Sequence, residues 1–306
     1  MRSAPRDLLN GSIKFVAAKF LLKDTSKQNR FVRSQAIKWL ALAFLVSVVI
    51  WSWNSLNLSL QSLNFVGLLP TIALAVAATF LSALEFRISC RYLGHRGNSI
   101  KDDLKITSYG SMANVLPIPG GTVVRIAALK SSGATTRTGT QVTFAIGAVW
   151  LGLSCILSGA ILSMMGDWIV GTPLFGAGVV VYLLSYWIAH IEGASRLRFW
   201  LTASGVEIMV ILVAGLRNFC VLYALGFGAN LGYSFGLVAA GSIAVATSVV
   251  PAGIGVRELI AGGLGMRMGL GAGPAFMVAS LNQLISLLAV IPIFVIASSG
   301  RSEEDE

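Results

Sequence analysis

Arg125 and Arg257 each close a break in the chain, and the two breaks share one pattern. Pro119-Gly120-Gly121-Thr122-Val123-Val124-Arg125 and Pro251-Ala252-Gly253-Ile254-Gly255-Val256-Arg257 both read Pro-x-Gly-x-x-Val-Arg. Proline and glycine end one helical arm and let the next begin with exposed N–H groups. Gly120, Gly121, Gly253 and Gly255 lie where those amides start, and each arginine falls in or near the first turn that follows. A helix N-terminus is already partly positive, so a guanidinium placed there asks for an anion. A phosphate held by amide N–H groups and a guanidinium fork is the chemistry that fits. Glu258 directly follows Arg257 and has two readings: it neutralises the arginine and pins the turn, or it takes part in headgroup or proton chemistry. Arg217 is a third isolated cation, deep in an apolar run and without a carboxylate three or four residues away. It requires a partner on another helix, or a ligand.

The rest of the chain offers little other chemistry. Cys90, Cys155 and Cys220 are scattered, with no Cys-x-x-Cys and no Cys/His spacing, so neither a disulfide framework nor a metal site is expected. The glycine-rich run at 262–273 lacks both the Lys-Ser/Thr ending of a phosphate-binding loop and the strand-helix setting of a dinucleotide fingerprint. Asp102-Asp103 stands in a basic stretch that reads as a helix start, so no acidic pair in a sizeable loop marks a catalytic site. No cofactor is implied. Glu85, at the end of an apolar run, reads as an interfacial anchor that reaches water, and Glu207, a few turns into its run, reads as a group able to snorkel.

Composition makes the chain a membrane bundle. It is 55% hydrophobic and 12% charged, whereas a soluble domain carries about 25% charged residues. Segments at 36–53, 65–84, 140–165, 169–189, 201–227 and 274–297 are long and apolar enough to cross about 30 Å of hydrocarbon. The net charge of +10 invites a nucleic-acid reading, but its distribution removes that. With the N-terminus in the cytoplasm, twenty of the 23 Lys and Arg residues fall on the cytoplasmic side, and the external loops at 54–64 and 166–168 hold none. That is the positive-inside pattern of a cytoplasmic membrane. Residues 1–35 form a basic segment in which Leu9, Ile13, Val16 and Phe20 share one helical face. It reads either as an interfacial helix on the anionic inner leaflet or as a basic tail. The charged region is too long for a signal peptide and no small-residue cleavage site follows. Residues 36–299 make one transmembrane domain, and 300–306 a short acidic tail.

Two apolar stretches, 106–118 and 234–250, are too short or too rich in small and polar residues to be ordinary spans, and each runs into one of the breaks. Three full spans separate them. If the first dips in from the cytoplasm, the second dips in from outside. The expectation is an all-α polytopic membrane protein with about six full transmembrane helices and two re-entrant helical hairpins in an inverted pseudo-repeat, the arrangement that places broken helices near the bilayer midplane.

At these residues the sequence resembles the transmembrane flippase domain of lysylphosphatidylglycerol synthases and the stand-alone flippase-like proteins of that family. The resemblance rests on Asn114-Val115-Leu116-Pro117 with Pro119-Gly120-Gly121 and Arg125, and on Pro251-Ala252-Gly253-Ile254-Gly255-Val256-Arg257-Glu258 before a last span. It extends over about 39–296. Glu85-Phe86-Arg87 departs from the family's aromatic-rich Arg-Trp stretch, and lysyl transfer is not implied, since the chain lacks the soluble transferase domain. The resemblance implies that a phospholipid or polyprenyl-type lipid is moved between leaflets during envelope lipid or glycan assembly. Arg125, Arg257, Glu258, Arg217, Asn114 and the four glycines would line its substrate site. The alternative from another class is a membrane glycosyltransferase or an accessory subunit of a glycan or lipid pathway. The expected partner is a membrane lipid with an anionic or phosphate-bearing headgroup, with a second copy of the chain or a pathway enzyme left open.

Overall fold

Apolar runs of this length satisfy their backbone polar groups internally only as helices, and helix is the regular element throughout the described residues. The computed structural model describes residues 50, 64–95, 99–114, 120–190, 195–228, 230–247 and 255–299. Most of the expected span at 36–53, the basic segment, both proline breaks, Gly253 and the acidic tail lie outside them. The helices in chain order are α1 Phe65–Tyr92, α2 Ile100–Ala113, α3 Gly120–Ser131, α4 Thr136–Met164, α5 Trp168–Ile188, α6 Arg196–Ala224, α7 Leu231–Gly236, α8 Val238–Thr247, α9 Val256–Arg267 and α10 Ala272–Ser299.

Five of these, α1, α4, α5, α6 and α10, are long and apolar enough to cross a membrane, and they match five of the six expected segments. Several begin at a polar cap. The side chains of Asn64, Thr135 and Asp167 accept the Gly67, Thr138 and Val170 amides that open α1, α4 and α5, which compensates donors that a helix start leaves free. The remaining helices are short. At about 1.5 Å per residue, α2 reaches only about 21 Å with its 14 residues.

One boundary differs from expectation. The stretch 85–105, beyond the apolar run at 65–84, is mostly helix: α1 continues to Tyr92 and α2 opens at Ile100. The reason is a buried face. Phe86 and Cys90 pack with Ile106, Ala128 and Leu129, so helical burial outlasts the apolar run. Arg87 is accommodated by Asp103 of α2 at 3.3 Å.

The side chains are distributed inside out relative to a soluble protein. Thr71, Ser108, Ser154, Ser158, Ser185, Ser234 and Ser280 are wholly buried, while Phe65, Phe144, Ile169, Leu183, Trp187, Leu259 and Ile296 are exposed. Small polar residues inside and large apolar ones outside are what lipid-embedded helices require. The chain is a multi-pass membrane protein.

α4 and α5 pack closely along much of their length. A Cβ built on Gly159 would stand 2.4 Å from the Phe175 nitrogen and 2.7 Å from the Gly171 oxygen, and one on Gly152 2.7 Å from the Tyr182 nitrogen. Backbones therefore touch through Gly152, Gly159, Gly171 and Gly178. Gly159→Leu is expected to pry this pair apart and destabilise the protein by about 1–3 kcal/mol or more. A lower unfolding midpoint in detergent checks it, with Gly147→Leu, where a Cβ meets nothing within 4 Å, as the neutral control.

Packing pairs the two halves reciprocally. α1 lies along α6. The short helix α2 packs on α3 and on α10, and the short helix α8 packs on α9 and on α4. α2 and α3 run antiparallel and almost in contact, because a Cβ on Gly120 would stand 2.1 Å from the Ala113 oxygen, and one on Gly110 3.6 Å from the Gly121 Cα.

Candidate functional site

A cavity of about 450 Å³ opens in the middle of this packing, lined by α1, α2, α3, α4, α6, α8, α9 and α10. α5 contributes nothing to it. A larger hollow of about 530 Å³ runs between α1 and α10, walled by Ile72, Phe80, Leu288, Pro292 and Ile293 with Lys101 at its edge. It is an apolar groove without the convergent polar groups that give a site specificity. The smaller cavity has them, and they fall into two groups.

The first group joins three helices. Arg125 of α3 reaches Glu85 of α1 with both terminal nitrogens, Nη1 in close contact with Oε1 and Nη2 at 3.4 Å from Oε2. Glu207 of α6 lines the same cavity as Glu85 and Arg125. Glu85 and Glu207 are buried, at 6% and 2% exposure. Neither is the water-reaching group expected from its place in the sequence. Packing of α1 along α6, with α2 over the end of α1, closes both positions to solvent. Arg125 itself lies in the second turn of α3 rather than the first, since the helix opens at Gly120.

The second group is cationic without a counter-charge. Arg217 of α6 is 9% exposed; its Nη2 donates to the Asn282 carbonyl at 2.8 Å and to the Ser286 hydroxyl. Arg257 of α9 donates to the Gln283 side-chain oxygen. Both guanidiniums line the one cavity. Among the described residues neither forms an ion pair, and the buried Nε of each has no hydrogen-bond partner. The neutral groups around them are held in a chain: Asn282 Nδ2 donates to Asn218 Oδ1 at 2.7 Å, and Asn218 Nδ2 donates to the Ser234 carbonyl at 2.9 Å.

The site residues expected from sequence separate accordingly. Arg125, Arg217, Arg257, Asn114 and Gly121 line this one cavity. Gly120, Gly255 and Glu258 do not, and Gly253 lies outside the described residues. The amides thought free for a ligand are in part already taken. The Asn114 side chain accepts the Gly121 N–H at 2.6 Å, and the Glu258 carboxylate accepts the Gly255 N–H at 2.5 Å. Gly255 holds φ at +86°, a conformation only glycine adopts without strain. Glu258 therefore acts as a buried cap of α9, at 1% exposure, and Arg125 is paired with Glu85.

Glu85, Glu207, Asn218, Asn282, Gln283 and Ser286 complete the cavity and were not singled out as site residues. Asn282, Gln283 and Ser286 carried a usable signal: two amides and a hydroxyl in the middle of an otherwise apolar 28-residue helix, where intramembrane polar groups mark function or helix contact. No protein-family model matches the chain, and no curated protein matches its sequence.

Proposed function

We propose that this protein is a lipid translocase of a cytoplasmic membrane that moves an anionic, phosphate-bearing lipid between leaflets. The observation that carries the proposal is the pair Arg217 and Arg257: one buried and one half-buried guanidinium facing one bundle cavity, held by amides and a hydroxyl rather than carboxylates. Buried cations cost several kcal/mol unless an anion meets them (about 3 or more at a membrane centre). A phosphodiester accepts from two such forks at once, and the apolar outer faces leave its tails in hydrocarbon.

The reciprocal packing supports a moving part. α1–α2–α3–α4 and α6–α7–α8–α9–α10 each place a pair of short helical arms between two long helices, and each pair leans on the closing long helix of the other unit. In our reading these are two re-entrant hairpins of an inverted repeat, with a further span ahead of α1 giving six in all. Rocking one unit against the other would open the cavity to each leaflet in turn.

The decisive experiment is translocation of a fluorescent phosphatidylglycerol in reconstituted vesicles, read by the fraction accessible to an impermeant quencher. Rates no faster than in protein-free vesicles would sink the proposal. The orientation has its own test in cells, in a background lacking the native cysteines. Met165→Cys is expected to react with an impermeant thiol reagent from outside, and His190→Cys only after permeabilisation; the reverse pattern would invert the topology.

A further inference from the structure

We propose that the apolar groove between α1 and α10 seats one acyl chain of an anionic phospholipid, with the lipid's phosphate against Lys101. The chemistry of the groove narrows its occupant. At about 530 Å³ it has the size of a small-molecule site, yet among the described residues Lys101 is the one polar side chain that lines it. A polar ligand would find nothing to orient it, whereas a hydrocarbon chain needs no such groups. Length narrows the occupant further. On α10 the lining runs from Ile285 to Ala297, about 18 Å at about 1.5 Å per residue. That is close to one leaflet of a hydrocarbon core about 30 Å thick, so the groove matches one lipid chain rather than a helix crossing the whole bilayer.

Lys101 supplies the headgroup contact. It stands in the first turn of α2, exposed, and among the described residues it forms no ion pair. The acids that follow it are engaged elsewhere: Asp102 accepts from the Ser99 hydroxyl at 2.9 Å, and Asp103 pairs with Arg87 of α1. The ammonium therefore keeps its charge for an anion outside the protein, at the edge of an apolar slot. A phosphodiester joined to a hydrocarbon chain presents that combination. Phosphatidylcholine presents it less well, because its quaternary ammonium offsets the phosphate. At the Ile285 end, α1 and α10 pack together through Ala75, Ile285 and Ala289. Ala75 also lines the arginine cavity, so one layer of side chains divides the groove from that site. The seat does not rest on the translocase reading, since it needs only a bilayer around the chain.

Photocrosslinking of the full chain in phosphatidylcholine vesicles tests the seat. The probe is a trace of phosphatidylglycerol, or of phosphatidylcholine, with a diazirine in one acyl chain, and peptide mass spectrometry maps the adducts. The phosphatidylglycerol probe is expected to mark the groove residues of α1 and α10 about fivefold more than the phosphatidylcholine probe, the preference that one lysine near a membrane surface gives an anionic lipid. The outer face of α5, where Phe175 and Val180 are exposed and no side chain is charged, is expected to take both probes alike and serves as the internal standard. Lys101→Gln is expected to erase the preference and Lys101→Arg to keep it. Ala297→Trp, which fills the slot from a half-buried position, is expected to lower labelling of the groove by both probes and leave α5 unchanged. Equal labelling of the groove by the two probes overturns the proposal, and so does a preference that survives Lys101→Gln. An unlabelled groove beside a labelled α5 overturns it as well, and shows instead that another segment of the chain or a second copy covers the groove. Lipid movement plays no part in the measurement, so its failure leaves the translocase reading standing.

Discussion

Arg257→Gln is expected to slow lipid translocation by about tenfold to a hundredfold, because a charge-assisted hydrogen bond contributes about 1.5–3 kcal/mol. Arg257 stands in the first turn of α9 and is held by Gln283 of α10, so its fork is positioned before any ligand arrives. Glutamine keeps much of the length and removes the charge. Arg257→Lys is expected to fall between wild type and Arg257→Gln, since an ammonium keeps the charge but not the planar fork. Arg217→Gln is expected to behave like Arg257→Gln, because both guanidiniums address the same space. Vesicle rates at equal amounts of folded protein decide the matter. Rates unchanged in both glutamine variants would remove the anion site from the mechanism. A loss of folded protein in place of rate would make Arg257 a clamp between α9 and α10.

Arg125→Leu is expected to have the largest effect on stability. Removing one partner from a buried ionic group costs about 3–5 kcal/mol, and here two carboxyls, Glu85 and Glu207, would be left without a cation. The triple variant Glu85→Gln, Arg125→Leu, Glu207→Gln is expected to regain most of the stability, because replacing a whole buried ionic cluster by neutral groups is often close to neutral. Thermal unfolding in detergent gives each value. No recovery in the triple variant would show that the side chain matters through packing instead.

How much of this was legible from the residues alone follows the range of the forces involved. Residue order was enough to specify a helical membrane bundle, since transfer of apolar surface and internal backbone hydrogen bonding act on each segment separately. The starts and ends of α4, α5, α6 and α10 fell within a few residues of the apolar runs for that reason. Arg125, Arg217 and Arg257 were also visible, because an uncompensated cation in an apolar run is conspicuous whatever surrounds it. What each arginine meets depends on how the helices pack. Glu85 and Glu207 are separated by more than a hundred positions in the chain, and each seen alone looked able to reach water; it takes the packing of α1 on α6 and the entry of α3 to turn them into a buried pair around Arg125. Glu258 looked like the natural partner of Arg257 by adjacency, yet neighbouring residues on a helix point in different directions. The fold turned its carboxylate back to the Gly255 amide and gave Arg257 the Gln283 side chain instead. Composition acts locally and can be read in order along the chain, whereas charge pairing in a low-dielectric interior depends on a few ångströms of separation, and those distances exist only once the helices have packed.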